Sequence, residues 1–298
     1  MAQISAALVK ELRERTGSGM MECKKALQES NGDIEAAVEL MRKAGLAKAD
    51  KKAGRVAAEG AIVLRTATDG KAIALVEINC ETDFVAKGED FQHFAGQVAE
   101  RVLEAAPSDL DALLALPLEE GKSVDQVRRE LVAKVGENIN VRRFARVGSA
   151  TALLSSYLHG GRIGVVVELA GGNPELARDI AMQVAAGKPL YVSAEQVPAE
   201  LLAKEREIYT AQAEQEDKDK PKPAHITAQK VEGRLRKFIE EITLLGQPFI
   251  RDDKQKVGQL LKNARVQVLG FQRFELGEGI EKKSGDFVAE VMSQVQGN

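Results

Sequence analysis

Two apolar runs, Ile62-Val63-Leu64 and Ile73-Ala74-Leu75-Val76-Glu77-Ile78, stand either side of Thr68-Asp69-Gly70-Lys71. Short apolar runs joined through Asp-Gly predict the two strands of a β-hairpin. The spacing then changes to Phe91, Phe94, Val98 and Val102, which is one face of a helix. A Leu-rich connection with prolines, Pro107 to Gly121, leads to a second helix carrying Val124, Val127, Leu131 and Val135. Ile139-Asn140-Val141-Arg142-Arg143-Phe144 predicts a closing strand.

The same order then returns. Leu153 to Leu158 and Ile163 to Leu169 flank His159-Gly160-Gly161-Arg162, a second hairpin. Ala181-Met182-Gln183-Val184-Ala185 echoes Ala95-Gly96-Gln97-Val98-Ala99. Val257-Gly258-Gln259-Leu260 echoes Val124-Asp125-Gln126-Val127, and Phe271-Gln272-Arg273-Phe274 echoes the first closing strand. The pattern predicts two divergent copies of a strand–strand–helix–helix–strand unit. From Gly70 to Gly161 the offset is 91, but from Gln97 to Gln183 it is 86. The first copy therefore carries about five extra residues, which fall at Glu81 to Lys87.

That segment, Asn79-Cys80-Glu81-Thr82-Asp83-Phe84-Val85-Ala86-Lys87, occupies a strand-to-helix corner. Such corners hold side chains up to a partner on rigid supports. Thr82 or Asp83 ahead of a helix is ordinarily a cap. Phe84 is harder to account for, because a large apolar side chain at a connection tip is unusual unless something covers it. If both copies build one scaffold, these residues are not needed to build it. They read as a functional tip fixed in place by a cap.

Ahead of the first copy, residues 1 to about 45 predict three short helices. Ser5 caps the first, with Leu8, Val9 and Leu12 on one face. Thr16-Gly17-Ser18-Gly19 breaks it, and Met20-Met21-Glu22-Cys23-Lys24-Lys25-Ala26-Leu27 begins the second. Asn31-Gly32-Asp33 stops that helix and caps a third bearing Ile34, Ala37, Val38 and Met41. So small a core suits a docking module better than a catalytic one. Met20 and Met21 are adjacent and cannot both face inwards, so an exposed, adaptable Met is a candidate partner contact. Residues 44–60, rich in Ala, Gly and Lys, read as a partly helical linker. Within the second copy, Val197, Leu201, Ile208 and Ala211, then Ile226, Val231, Leu235 and Phe238, lie at helical spacing around Glu216 to Pro223. They predict an antiparallel helical hairpin with a charged, Pro-containing apex. A tail with Phe287, Val288, Val291, Met292 and Val295 predicts a final helix.

Composition narrows the function classes. The 298 residues are 44% hydrophobic and 29% charged with net charge −3. That balance supplies no global field for nucleic acid or an anionic membrane. Aromatics make up 4% with no Trp, which disfavours base-stacking platforms. Cys23 and Cys80 form no CxxC and read as buried free thiols of a reducing compartment. Without a signal-like start or a long apolar run, the chain reads as soluble and cytoplasmic. Catalytic constellations fail one by one. His93, His159 and His225 make no metal-binding spacing. Gly121-Lys122-Ser123 ends like a phosphate loop, but Leu116 stands where its first glycine is required. Gly277-Glu278-Gly279 is half a dinucleotide fingerprint and opens no βαβ unit. No GxSxG occurs. The chain does not read as an enzyme, and no cofactor or metal of its own is predicted.

Three stretches in order, Met20 to Leu27 with Asn31-Gly32-Asp33, Thr82-Asp83-Phe84-Val85-Ala86-Lys87, and Tyr157-Leu158-His159-Gly160-Gly161-Arg162-Ile163-Gly164, closely resemble the bacterial translation elongation factor Ts family. The likeness continues through Gly246-Gln247-Pro248-Phe249 and Gly270-Phe271 to Gly279. It implies a guanine nucleotide exchange factor for elongation factor Tu. It also implies that Thr82, Asp83, Phe84 and Val85 meet the nucleotide-binding domain of Tu near its magnesium and phosphates. The positions of Arg13, Met20 and Met21 would grip a helix of that domain, and His159 would face another domain of Tu. No direct contact with nucleic acid or membrane is expected, and the helical hairpin leaves a homodimer or a 2:2 complex with Tu open. Pattern and resemblance together divide the chain into a ubiquitin-associated-like three-helix module and linker (1–56), a first core subdomain (57–148), a second (149–192 and 238–277), a coiled-coil hairpin inserted in it (193–237) and a C-terminal helical module (278–298). The fold class is α+β, each subdomain holding a three-stranded antiparallel sheet. Two other classes of function compete: a scaffold or chaperone for Tu with no effect on nucleotide, and a nucleotide-dependent enzyme.

Overall fold

Ser5 Oγ accepts the Leu8 N–H at 3.2 Å and opens α1 (Ala6–Thr16), as its side chain predicts. The computed structural model describes residues 4–16, 18–119, 121–218 and 223–281. Helix α2 (Met20–Glu29) ends where Asn31 and Gly32 turn left-handed, at φ 53° and 88°, and the Gly32 N–H returns to the Leu27 carbonyl at 2.8 Å. Asp33 Oδ1 then accepts the Ala36 N–H at 3.0 Å and starts α3 (Ile34–Lys52). Leu12, Cys23, Leu27 and Ala37 are fully buried where the three helices meet. In the partly helical linker expected from residue 44, the helical part is the continuation of α3 to Lys52. Ala and Lys are strong helix formers, and a neighbouring helix gives this stretch a partner, described below.

The first copy runs β1 (Glu59–Thr66), β2 (Ala72–Cys80), α4 (Asp83–Lys87), α5 (Glu89–Ala105), α6 (Leu110–Ala115), β3 (Pro117–Glu119), β4 (Lys122–Ser123), α7 (Val124–Val135) and β5 (Asn140–Gly148). Its main sheet has the order β1-β2-β5, and every residue of the central β2 is buried. The expected inner face of α5, Phe91, Phe94, Val98 and Val102, is buried. Gly60 sits at φ +136°, and a Cβ there would lie 2.0 Å from the Ile78 carbonyl oxygen. Only glycine lets β1 and β2 approach so closely. Ser123 and Gln126 exchange backbone bonds as a capping box that opens α7. The Gly121-Lys122-Ser123 sequence is thus a helix start. Helix α7 is the partner of α3: the backbone of Gly45 lies so close that a Cβ there would be 3.0 Å from Ala133 Cβ, and the Lys52 ammonium donates to the Gly136 carbonyl.

The second copy repeats this order as β6 (Leu153–His159), β7 (Ile163–Ala170), α8 (Pro174–Gly187), a helical hairpin of α9 (Ala199–Glu216) and α10 (Ala224–Ile242), then β8 (Pro248–Phe249), β9 (Asp252–Lys256), α11 (Val257–Ala264) and β10 (Gln267–Glu275). Strands β6 and β7 pair antiparallel from Leu153↔Leu169 to His159↔Ile163. The sheet order β10-β7-β6 again puts the second strand in the centre. A small two-stranded hairpin precedes the second long helix in both copies, β3–β4 before α7 and β8–β9 before α11. Val165, Val167 and Leu169 of β7 pack with Ile180 and Val184 of α8 and Val257 and Leu261 of α11. Helices α9 and α10 close over Ala213, Val231 and Leu235. Glu216 bonds Lys230 at 2.5 Å and Arg234 at 2.9 Å across them.

Compact units divide differently from the repeat. One holds Met1–Arg65, Ala74–Arg146 and Glu275–Asn298, the other Thr66–Ile73 and Val147–Phe274. In the first unit Gly277, at φ +72°, donates its N–H to Glu77 at 2.8 Å. The half fingerprint Gly277-Glu278-Gly279 is therefore a turn over a buried carboxylate. The expected tail helix at Phe287 to Val295 and residues 219–222 of the hairpin apex lie outside the described residues. Among those described, no helix is long and apolar enough to cross a membrane.

Candidate partner-binding tip

Eight residues, 81–88, separate β2 from α5, whereas three, 171–173, separate β7 from α8. The second copy needs only Asn173, whose Oδ1 accepts the Leu176 N–H at 2.9 Å. In the first copy the additional five residues wind into α4, a single turn of helix. Thr82 is extended at φ −124°, and its Oγ1 accepts the Val85 N–H at 3.4 Å. Gly88 ends α4 and caps α5, its own N–H meeting the Val85 carbonyl at 3.0 Å. Asp83 Oδ2 pairs with Lys87 Nζ at 2.6 Å one turn on. That hydrogen bond and charge hold the Asp83 carboxyl below its usual range. Ala86 is buried, Val85 half-buried, and Phe84 is 83% exposed.

The tip is braced from the end of α7. Glu137 Oε2 accepts the N–H groups of Glu81 (3.2 Å) and Thr82 (3.0 Å), and Oε1 accepts the Thr82 hydroxyl at 2.7 Å. The favour is returned: Glu81 Oε1 accepts the Asn138 N–H at 2.6 Å. Beneath them the Cys80 thiol donates to the Thr82 carbonyl at 3.1 Å. Burial, helped by the Glu137 charge, pushes that thiol up to about 12, so Cys80 is a packing group and hydrogen-bond donor, not a nucleophile. Cys23 and Cys80 are both buried and free, as expected. What the tip offers is an apolar ring on a stiff, capped support.

Met20 and Met21 open α2 with 61% and 77% exposure, both turned from the core that Cys23 and Leu27 enter. Arg13 is exposed on α1. These three and the tip belong to the same compact unit. His159 belongs to the other, exposed at the end of β6 with Nδ1 3.1 Å from Tyr157 Oη. Among the described residues no group of His, Cys, Asp or Glu could hold a metal ion.

A family model described as Elongation factor TS matches residues 81–278, beginning within the tip. The chain is 60% identical over 293 residues to Elongation factor Ts of Methylococcus capsulatus, covering 98% of this chain and 99% of that one. It is 57% identical over 295 residues to that of Thioalkalivibrio sulfidiphilus, covering 99% of each. With that of Legionella pneumophila (strain Paris) it shares 54% over 296 residues, 99% of this chain and 100% of the other. The chain belongs to the elongation factor Ts family.

Reading residues in order locates the tip of this family member but not its brace. Glu137 lies 55 positions from Thr82, in a loop with no periodicity. Its one local signal is Gly136, the left-handed C-cap of α7 at φ 82°, which marks a chain reversal towards the sheet without saying what the next side chain grips. Glu77 was equally hidden, since a lone Glu inside an apolar strand carries no pattern of its own.

Proposed function

We propose that this chain is a guanine nucleotide exchange factor for elongation factor Tu in translation elongation. The observation that carries the reading is Phe84, 83% exposed on a turn of helix that the scaffold's other copy lacks. Solvent exposure of so large an apolar ring on so well anchored a support is explained by a partner that buries it. Burial of the ring contributes about 1.5–3 kcal/mol. A nucleotide held at nanomolar affinity represents about 12 kcal/mol, much of it through phosphate and Mg²⁺ contacts. Mg²⁺ keeps strict octahedral geometry, so a small displacement of its ligands loosens it. In this reading Thr82, Asp83, Phe84 and Val85 enter beside the Mg²⁺ and phosphate site of Tu-GDP, Phe84 as the wedge and Asp83 holding the turn through Lys87.

The factor performs no covalent step. It binds the opened, nucleotide-free form of Tu more tightly than the loaded form, and by linkage the nucleotide weakens the factor to the same degree. It stays on nucleotide-free Tu until GTP binds. Arg13, Met20 and Met21 contact a helix of the same domain of Tu, and His159 contacts another domain. The α9–α10 hairpin is available for a homodimer or a 2:2 complex, and the setting is the cytoplasm. Stopped-flow release of a fluorescent GDP analogue from Tu tests the proposal. Wild-type chain should accelerate release, and Phe84→Ala should lose most of the acceleration. Equal binding to GDP-loaded and empty Tu, with no acceleration, would favour a scaffold and sink the exchange reading.

A further inference from the structure

The connection from α7 to β5, Gly136-Glu137-Asn138, touches two elements at once. Glu137 holds the tip through Glu81 and Thr82, as described. The Asn138 side-chain amide, 1% exposed, donates to the carbonyls of Ala53 (3.3 Å) and Arg55 (2.7 Å), directly after α3. Arg55 in turn pairs with Glu81 at 2.6 Å, and Glu81 accepts the Asn138 N–H. Arg55, Glu81 and Asn138 thus close a ring of hydrogen bonds joining the exit of the three-helix module to the base of the tip. Arg55 is 56% exposed, so its ion pair contributes little; the bonds between carboxylate and buried backbone carry the ring.

The duplicated fold supplies the comparison. Helices α7 and α11 both end in a left-handed residue, Gly136 at φ 82° and Arg265 at φ 54°. The next position is Glu137 in the first copy and Val266 in the second. Val266 is buried in its apolar core, and its methyls sit where a Cβ on Gly172 would be 3.1 Å away. The scaffold therefore works with an apolar side chain here, packed on a three-residue connection. The carboxylate occurs in the copy that carries the tip.

We propose that Gly136-Glu137-Asn138 is a positioning joint: Glu137 sets the tip, and Asn138 with Glu81 locks the three-helix module to it, so that tip and module meet the partner as one preformed surface. The inference rests on the exchange reading. Two contacts held at a fixed separation turn the second binding event into an intramolecular one, and a stiff support removes the ordering cost at each.

The joint is tested in the full-length chain with Glu137→Ala and Asn138→Ala, each followed by hydrogen exchange of the free protein and by GDP release from Tu at varied factor concentration. In Glu137→Ala, protection of the amides of 81–85 should fall at least about tenfold, as should the maximal release rate, the loss of roughly one charge-assisted hydrogen bond. In Asn138→Ala the half-saturating concentration should rise by about tenfold with the maximal rate nearly kept. General destabilisation would lower the active fraction in both variants and would not divide the two parameters between them. Wild-type amide protection or a wild-type maximal rate in Glu137→Ala overturns the proposal. Should that variant not fold, Glu137→Leu keeps the bulk of the side chain while removing its acceptors and leaves the Thr82 cap in place; a several-fold lower maximal rate supports the joint, and an unchanged rate overturns it. If wild-type chain fails to accelerate release, the exchange reading falls, while the protection measurement still decides whether Glu137 holds the tip.

Discussion

Glu77 and Gly277, two hundred residues apart in the chain, are joined by a 2.8 Å hydrogen bond from the Gly277 N–H to Glu77 Oε1. Glu77 is fully buried in the middle of β2, and its carboxylate also meets Arg142 at 2.9 Å and Arg143 at 2.6 Å. Burial alone would push this carboxyl up. The Gly277 N–H and the two guanidinium groups outweigh burial, and the net displacement is downward. A carboxylate lowered in the folded state stabilises the fold above its unfolded value, near 4.3. That stability drains away as pH falls through the folded value. Urea unfolding of wild type should therefore lose stability on acidification below about pH 4.3 more steeply than Glu77→Gln does. At pH 7, Glu77→Ala should cost about 3 kcal/mol, because it leaves two arginines and an N–H facing a cavity.

Phe84→Ala separates contact from folding. With the ring 83% exposed, its removal should change unfolding free energy by no more than about 0.5 kcal/mol, while acceleration of GDP release is largely lost. A large fall in stability, measured by denaturant titration, would mean that the ring serves the fold.

Gly60→Ala should destabilise on the order of 3 kcal/mol. The new Cβ at φ +136° would stand 2.0 Å from a carbonyl of β2, where backbone and not a flexible side chain is in the way. Chemical denaturation would register the loss, and an unchanged midpoint would mean that β1 moves aside at no cost.

Cys80, with its thiol pushed up to about 12 and no solvent exposure, should resist iodoacetamide at pH 8 in the folded protein and react once the chain is unfolded. Mass spectrometry of the alkylated peptide reads both states. Rapid native labelling would show that the strand end opens and that Glu137 does not hold the corner shut.

Much of the fold is legible in residue order because its signals are local. Helix faces, the Asp-Gly and Gly-Gly turns, and the Ser5, Asp33 and Thr82 caps depend on neighbours within a turn or two. The duplication could be read because two copies of one scaffold repeat the same local signals, and the five surplus residues stood out against that repeat. Residue order failed where a partner distant in sequence decides the outcome. The Ala- and Lys-rich stretch after residue 44 reads as a partly helical linker, and only the folded chain shows α7 so close that a Cβ on Gly45 would lie 3.0 Å from Ala133 Cβ. Glu77, Glu81, Glu137 and Asn138 look like ordinary polar residues, and only the folded chain brings their carboxylates and amide to backbone groups more than fifty residues away. Residue order alone yields the main helices and strands, their repetition and the corner that carries Phe84. Tertiary structure alone decided what stiffens the tip, because a carboxylate's effect depends on which donors surround it, and those donors converge only when the chain has folded.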